Sequence, residues 1–358
     1  MSPLTILSDP RTSAQLGPAL ARPSARPAWE LPETRLVDAY GRRLTYLRVS
    51  VTDRCNLRCT YCLPEDADFP FGDRDFLSPD EIETIVGALV RLGIRRVRLT
   101  GGEPLVRRDL LEIVRRIKAL PGLENLALST NGTGLARLAP ALKAAGVDRV
   151  NISVDSLDPV RFRAITRRGD LEEVWRGVEA ALEAGLDPVK LNAVLLESNR
   201  EDVERLAALT LDRPLHARFI EMMPTGVNQA HNQAHLPGTL VSADDAYARL
   251  EARFGPLLPA EVGPRTGPAK AFRFAGAVGT VGFITPLSHT FCADCNRLRL
   301  TSRGELRLCL FADRNYPLRP LLAAPDPDAA LDAEILRVLQ EKPAEHNLTQ
   351  GDYGNLMS

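Results

Sequence analysis

The sequence predicts an α/β protein built on a parallel sheet, and three observations carry that prediction. Strand-like runs with a period of two alternate with amphipathic stretches of period near 3.6 from Arg48 to Ile220. Such alternation requires right-handed crossovers, and therefore parallel neighbours. Residues suited to chemistry fall at or near the C-terminal ends of the strands, where parallel α/β folds place ligands. Spacing alone leaves an open barrel and a flat doubly wound sheet equally consistent.

In the first strand, Val49 and Val51 alternate with polar residues, and Asp53 and Asn56 then open a loop. Ser78 is the N-cap of the first helix, Pro79 suits its first turn and Glu81 completes a capping box. Ile82, Ile85, Val86, Leu89 and Val90 form its apolar stripe, and Gly93 ends it. A strand over 95–100 runs straight into Gly101-Gly102-Glu103-Pro104. The cycle repeats with helices over 110–119, 135–145, 171–184 and 202–209, and strands over 125–129, 149–153, 188–195 and 216–220.

Past Met223 the rhythm stops. Residues 224–240 are rich in Gly, Pro, Asn and Gln; His231 and His235 stand four apart there, but the flanking Pro and Gly favour a solvated loop over a metal-binding helix. A helix over 242–254 and a Pro/Gly linker over 255–270 follow. Short strands are expected at 271–274, 278–284, 297–301 and 305–310. The expected division is an extension at 1–30, a barrel unit at 31–225, a smaller α+β unit at 226–330, and a helix and tail at 331–358.

A hydrophobic content of 44% and a charged content of 25% are those of a soluble globular chain. The net charge of −1 offers no global attraction to nucleic acid or membrane, so an anionic ligand needs a local basic cluster. No apolar run approaches the roughly 20 residues of a membrane span. The first thirty residues hold Pro3, Pro10, Pro18, Pro23 and Pro27 and lack the apolar core of a secretory signal. They read as a disordered extension of a bacterial cytoplasmic protein.

All six cysteines fall in two local groups, which argues for metal rather than disulfides. Cys55, Cys59 and Cys62 have C-x3-C-x2-C spacing beside Arg54 and Arg58, which is not a core pattern. Zinc usually takes cysteines in pairs and closes with four ligands. Three clustered thiolates without a nearby fourth suit an iron–sulfur cube with one iron left open. The second group, Cys292-x2-Cys295-x13-Cys309 with His289 just upstream, is equally consistent with zinc or iron–sulfur when taken alone.

The first motif, with Tyr61 before its last cysteine, resembles the radical S-adenosylmethionine (SAM) enzymes. In that family the open iron chelates SAM, and an electron from the cluster splits off a 5′-deoxyadenosyl radical. Further motifs narrow the resemblance. They are Arg98-Leu-Thr-Gly-Gly-Glu-Pro-Leu-Val-Arg-Arg-Asp109, Ser129-Thr-Asn-Gly132, Asn151-Ile-Ser-Val-Asp155, Val189-Lys-Leu-Asn192, Arg218-Phe-Ile-Glu-Met-Met223 and Ser288-His-Thr-Phe-Cys-Ala-Asp-Cys-Asn-Arg-Leu-Arg-Leu300. Together, over about 36–311, they are similar to the GTP 3′,8-cyclase family (molybdenum cofactor biosynthesis protein A).

The resemblance implies a partial (β/α)6 TIM-like barrel with a small C-terminal α+β domain carrying a second cluster. It implies a lyase making (8S)-3′,8-cyclo-7,8-dihydroguanosine 5′-triphosphate from GTP, the first step of molybdenum cofactor biosynthesis. Cys55, Cys59 and Cys62 would hold the SAM-cleaving [4Fe–4S] cluster, and Cys292, Cys295 and Cys309 a second one facing guanine. Tyr61, Gly102, Ser153 and Met223 would bind SAM, with Tyr61 against the adenine and Gly102 letting backbone approach the methionine amine. Arg48, Arg98, Ser129, Lys190, Arg297, Leu298 and Arg299 would bind GTP, with Arg299 also at the chemistry. A triphosphate carries about four negative charges, which need paired cations when buried.

A homodimer, a flavodoxin- or ferredoxin-like electron donor and a downstream cyclic pyranopterin monophosphate synthase are also implied. Family chains end in a Gly-Gly that reaches the active site, whereas this one ends Asn355-Leu-Met-Ser358. The expectation is therefore binding of both ligands and SAM cleavage, with slow cyclisation. The competing readings are a two-cluster radical SAM enzyme acting on a peptide and a non-catalytic module with two zinc sites.

Overall fold

A computed structural model describes residues 33–223, 241–260, 267–312 and 314–346. The expected N-terminal extension, the His231/His235 loop and the final tail lie outside the described residues. The six expected strands form in order: β1 (Tyr46–Ser50), β2 (Arg96–Thr100), β3 (Asn125–Thr130), β4 (Arg149–Ser153), β5 (Val189–Leu195) and β6 (Leu215–Glu221). Each pairs in parallel with the next. The crossover helices are α1 (Pro79–Leu92), α2 (Leu110–Lys118), α3 (Leu135–Ala145), α4 (Pro159–Thr166), α5 (Leu171–Glu183) and α6 (Asp202–Asp212).

Local chemistry explains these boundaries. The Ser78 side chain accepts from the Glu81 N–H while Glu81 reaches back to the Ser78 N–H, the reciprocal capping box expected for α1. Helix α4 was not expected: it is a single short segment with Asp158 capping the Arg161 N–H and Pro159 in its first turn. Those start signals are legible, but its eight residues make only about two turns, too few for an apolar stripe to register as periodic.

The later strands do not build a sheet of their own. They are β7 (Leu258–Pro259), β8 (Lys270–Arg273), β9 (Thr280–Ile284), β10 (Arg297–Leu300), β11 (Glu305–Arg307) and β12 (Tyr316–Pro317). Strand β9 joins β6 in parallel on one side of the sheet, and β10 joins β1 in parallel on the other. The result is one sheet in the order β12-β11-β10-β1-β2-β3-β4-β5-β6-β9-β8-β7. Helix α7 (Ala243–Phe254) packs near β6, and α8 (Pro327–Leu339), capped by Asp326, packs on α1.

Alternation sorts the strand side chains into two faces. Leu47, Val49, Val97, Leu99, Leu126, Leu128, Val150, Ile152, Val189 and Leu191 join the apolar core shared with the helices. The opposite parity carries Tyr46, Arg48, Arg98, Ser129, Arg149, Asn151, Lys190, His216 and Arg218. These residues face the inside of the curved sheet. Among the described residues no helix is long and apolar enough to cross a membrane.

Candidate active site

The two cysteine groups sit at opposite ends of the parallel strands. Cys55, Cys59 and Cys62 follow the C-terminal end of β1. Cys292 and Cys295 precede the start of β10, which runs parallel to β1 with Tyr46 opposite Arg297. Strand β11 runs antiparallel to β10 and delivers Cys309 back to that same end. One strand of five residues separates the ends, about 17 Å at 3.3 Å per residue.

Around the first group, backbone and side-chain donors aim at sulfur. The Leu57 N–H lies 3.4 Å from Cys55 Sγ, and Asn131 Nδ2 lies 4.0 Å from it. Asn131 is set by Glu103, whose buried carboxylate accepts from the Asn131 N–H (2.6 Å), Thr130 Oγ1 (2.7 Å) and the Leu105 N–H (2.9 Å). Burial pushes the Glu103 carboxyl up to about 7 despite those donors. Burial and the neighbouring Asp155 carboxylate hold the Cys59 thiol well above its ordinary range, and burial does the same to Cys62. A bound cation reverses that balance, because ligation releases thiol protons.

Gly102 also has a structural requirement of its own. A Cβ there would stand 2.3 Å from the Arg54 carbonyl oxygen and 2.5 Å from that of Asp53. The glycine therefore lets the Gly-Gly turn pack against the backbone of the cysteine loop, and its N–H donates to the Thr52 carbonyl at 2.8 Å. Tyr61 donates to Asp155 Oδ2 at 2.7 Å and packs beside Ile165, Leu196 and Met222. Asp155, also held by the Val194 N–H at 2.8 Å, is buried, which raises it to about 6. Ser153 ends β4, and Met223 follows β6 at the limit of the described segment.

Around the second group the donors are again aimed at sulfur and at the ligand-bearing backbone. Arg297 Nη2 lies 3.9 Å from Cys295 Sγ, and its guanidinium sits 4.7 Å from the Phe291 ring centroid. Burial alone would raise the Cys295 thiol, but the Arg297 and Lys342 charges outweigh it and bring it down to about 7. Arg42 donates to the carbonyls of Cys292 (2.9 Å), Ala344 (2.8 Å) and Pro343 (2.6 Å), while Asp38 holds its Nε at 2.6 Å. Lys342 donates to the carbonyls of Arg297 and Leu308. Both groups thus fit thiolate ligation, since N–H donors to sulfur are a normal support of iron–sulfur ligands. Among the described residues no three His, Cys, Asp or Glu converge tightly enough for a single metal ion. A cube is less demanding, because each thiolate takes a different iron.

Between the two ends the inner face is strongly cationic. Arg299, Arg48 and Arg98 stand side by side on β10, β1 and β2. Arg98 donates to Tyr46 Oη and, at 3.2 Å, to Ser129 Oγ. Burial, then repulsion from Arg218, Arg149 and Arg98, pushes the Lys190 ammonium down to about 6. Burial and Arg98 lower Arg218 to about 9, and burial and Arg48 take Arg299 well below its ordinary value. Buried nitrogens of Arg48 (Nε), Arg149 (Nε and Nη2) and Arg218 (Nε and Nη2) have no hydrogen-bond partner. Orphaned buried donors carry a desolvation penalty unless a ligand satisfies them. An elongated polyanion is the ligand that answers both the charge and the donors.

Most of the expected site residues are therefore brought to one interior. Leu298 is not: its side chain is fully buried in the core on the helix-facing side and does not reach the interior. Arg218, Arg149, Glu103 and Asp155 had been given no role of their own. Strand parity was the available signal for the arginines, since each shares the face of Lys190 or Arg98.

Residues 49–210 match the radical SAM superfamily, and residues 215–348 match Molybdenum Cofactor Synthesis C. The GTP 3′,8-cyclase of Pelotomaculum thermopropionicum is 46% identical over 315 residues, covering 88% of this chain and 96% of its own length. That of Heliobacterium modesticaldum is 47% identical over 329 residues, covering 90% and 99%. This chain belongs to the GTP 3′,8-cyclase family. Membership carries a [4Fe–4S] cluster and SAM as cofactors and places the chain among lyases. Streptococcus suis SuiB, solved with S-adenosylmethionine bound, superposes with a TM-score of 0.53 at 12% identity, over 83% of this chain and 66% of that one. At that identity it supports the radical SAM fold and nothing finer.

Proposed function

We propose that this GTP 3′,8-cyclase family chain cyclises GTP inside the barrel, with the two cysteine groups closing the two ends of one substrate chamber. The observation that carries the reading is the interior cation row between them, with its unsatisfied buried donors. Arg48, Arg98, Lys190, Arg218 and Arg299 bind and orient the triphosphate, and Ser129 fixes the Arg98 guanidinium. Arg297 is assigned to the second cysteine group, where its guanidinium meets Cys295.

Cys55, Cys59 and Cys62 would hold a [4Fe–4S] cluster that, with SAM, would supply the radical chemistry for cyclising GTP. Cys292, Cys295 and Cys309 would hold the second [4Fe–4S] cluster, at the end of the chamber where guanine would lie. Tyr61, Gly102, Ser153 and Met223 line the SAM side, with Tyr61 fixed by Asp155. The division of labour follows residues 31–225 for SAM and 226–330 for the second cysteine group, with the described part of 331–358, up to residue 346, returning over it. Arg42 and Lys342 support that last assignment by tying residues 343–344 and 308 to the Cys292 end. A homodimer and a flavodoxin- or ferredoxin-type donor complete the reading.

A peptide substrate is disfavoured by the same interior, since a peptide backbone does not neutralise several clustered guanidiniums. Anaerobic reconstitution with iron and sulfide, followed by product analysis with SAM and GTP, tests the reading. Appearance of (8S)-3′,8-cyclo-7,8-dihydroguanosine 5′-triphosphate supports it; SAM cleavage that GTP leaves unaltered, with no cyclised nucleotide, refutes it.

A further inference from the structure

Arg149 is the first residue of β4, so it enters the interior nearer the Cys292 end of the strands than the Cys55 end. It is 8% exposed, yet its Nε and Nη2 have no hydrogen-bond partner. The adjacent carboxylate is already occupied: Asp148 accepts both contacts of Lys118 Nζ at 2.8 Å, together with Asn125 Nδ2 and the Leu126 N–H. Register places Ala127 opposite Arg149 on one side and opposite Arg98 on the other. Ala127, itself fully buried, thus stands between the two arginines on the inner face. Lys190, Arg218 and Tyr46 feel the Arg149 charge, so it points among them rather than out to solvent.

We propose that Arg149 is a further triphosphate-binding residue, acting with Arg98 on the same polyanion. The proposal rests on the GTP reading of the interior. It explains why an isolated guanidinium is kept in a cationic cluster: a structural residue would carry an acid or carbonyl partner, whereas a ligand-waiting one carries open donors. Without ligand the Arg149 guanidinium repels those of Arg98 and Arg218, and the anion relieves it.

The test uses the reconstituted holoprotein and three variants, Arg149→Gln, Arg149→Lys and Arg299→Ala. Affinities for GTP, GDP, GMP and guanosine are measured by titration, SAM affinity is the folding control, and melting is followed without nucleotide. Arg149→Gln should weaken GTP on the order of a hundredfold, as loss of one buried charge partner does. It should leave guanosine and SAM unchanged, and Arg149→Lys should restore part of the loss. The ligand-free melting temperature should hold or rise, because an unpaired buried cation has been removed. A lower melting temperature with weakened SAM makes Arg149 a structural residue and overturns the proposal. So does equal weakening of guanosine, or unchanged GTP affinity while Arg299→Ala still loses it. If neither Arg149→Gln nor Arg299→Ala alters GTP binding, the GTP reading itself fails.

Discussion

Lys190 offers the sharpest test of the interior electrostatics. Its ammonium is brought to about 6 by burial first and then by Arg218, Arg149 and Arg98, with Asp187 opposing them. Without ligand at pH 7.5 it is therefore charged in about 3% of molecules, so recharging it for an anion costs about 2 kcal/mol. A triphosphate among the guanidiniums cancels the repulsion, and the lysine takes up a proton as GTP binds. GTP affinity should then fall towards tenfold per pH unit between about pH 7 and 8.5. The nucleotide's own terminal phosphate titrates near the lower limit, so the informative quantity is the difference between the native protein and Lys190→Met. Titration calorimetry in buffers of different ionisation enthalpy should show uptake approaching one proton, absent in Lys190→Met. Stability without ligand has the opposite sign. The folded value lies below the ordinary 10.5, so the unfolded chain holds the extra proton from about pH 6 to 10.5, and stability rises with pH across that window. Equal proton uptake in Lys190→Met would refute the reasoning.

Three further outcomes follow from the site. Replacing Cys55, Cys59 and Cys62 together by alanine should leave about half the iron and abolish SAM cleavage, since each cluster has its own ligands. The triple change at Cys292, Cys295 and Cys309 should also keep about half the iron while retaining SAM cleavage; iron assay and 5′-deoxyadenosine release check both. Gly102→Ala drives a methyl into the Asp53 and Arg54 carbonyls and should destabilise by at least about 1–3 kcal/mol, seen in melting and in lost iron at the first cluster. Glu103→Gln sets an amide against three donors and should cost about 1–3 kcal/mol, read as a lower melting temperature.

The sequence alone determined the elements and the chemistry-bearing types. Period-two and period-3.6 patterns, the Ser78–Glu81 capping box and the cysteine spacing are local, so they can be read without knowing what packs where. Parity within a strand also sorts its own side chains into two faces. Only the tertiary structure decided what those faces meet. Pairing of β10 with β1 and of β9 with β6 adds the late strands to the early sheet, and no local signal specifies partners 251 residues apart (Tyr46 and Arg297) or 64 apart (His216 and Thr280). That pairing carries Arg299 beside Arg48, turns Leu298 into the core, and sends the second cysteine group to the end opposite the first. It also shows that Gly102 answers to neighbouring carbonyls, and that Nε and Nη2 of both Arg149 and Arg218 are left without hydrogen-bond partners. Burial and unmet hydrogen bonds belong to the surroundings of a residue, and those surroundings exist only once distant strands have come together.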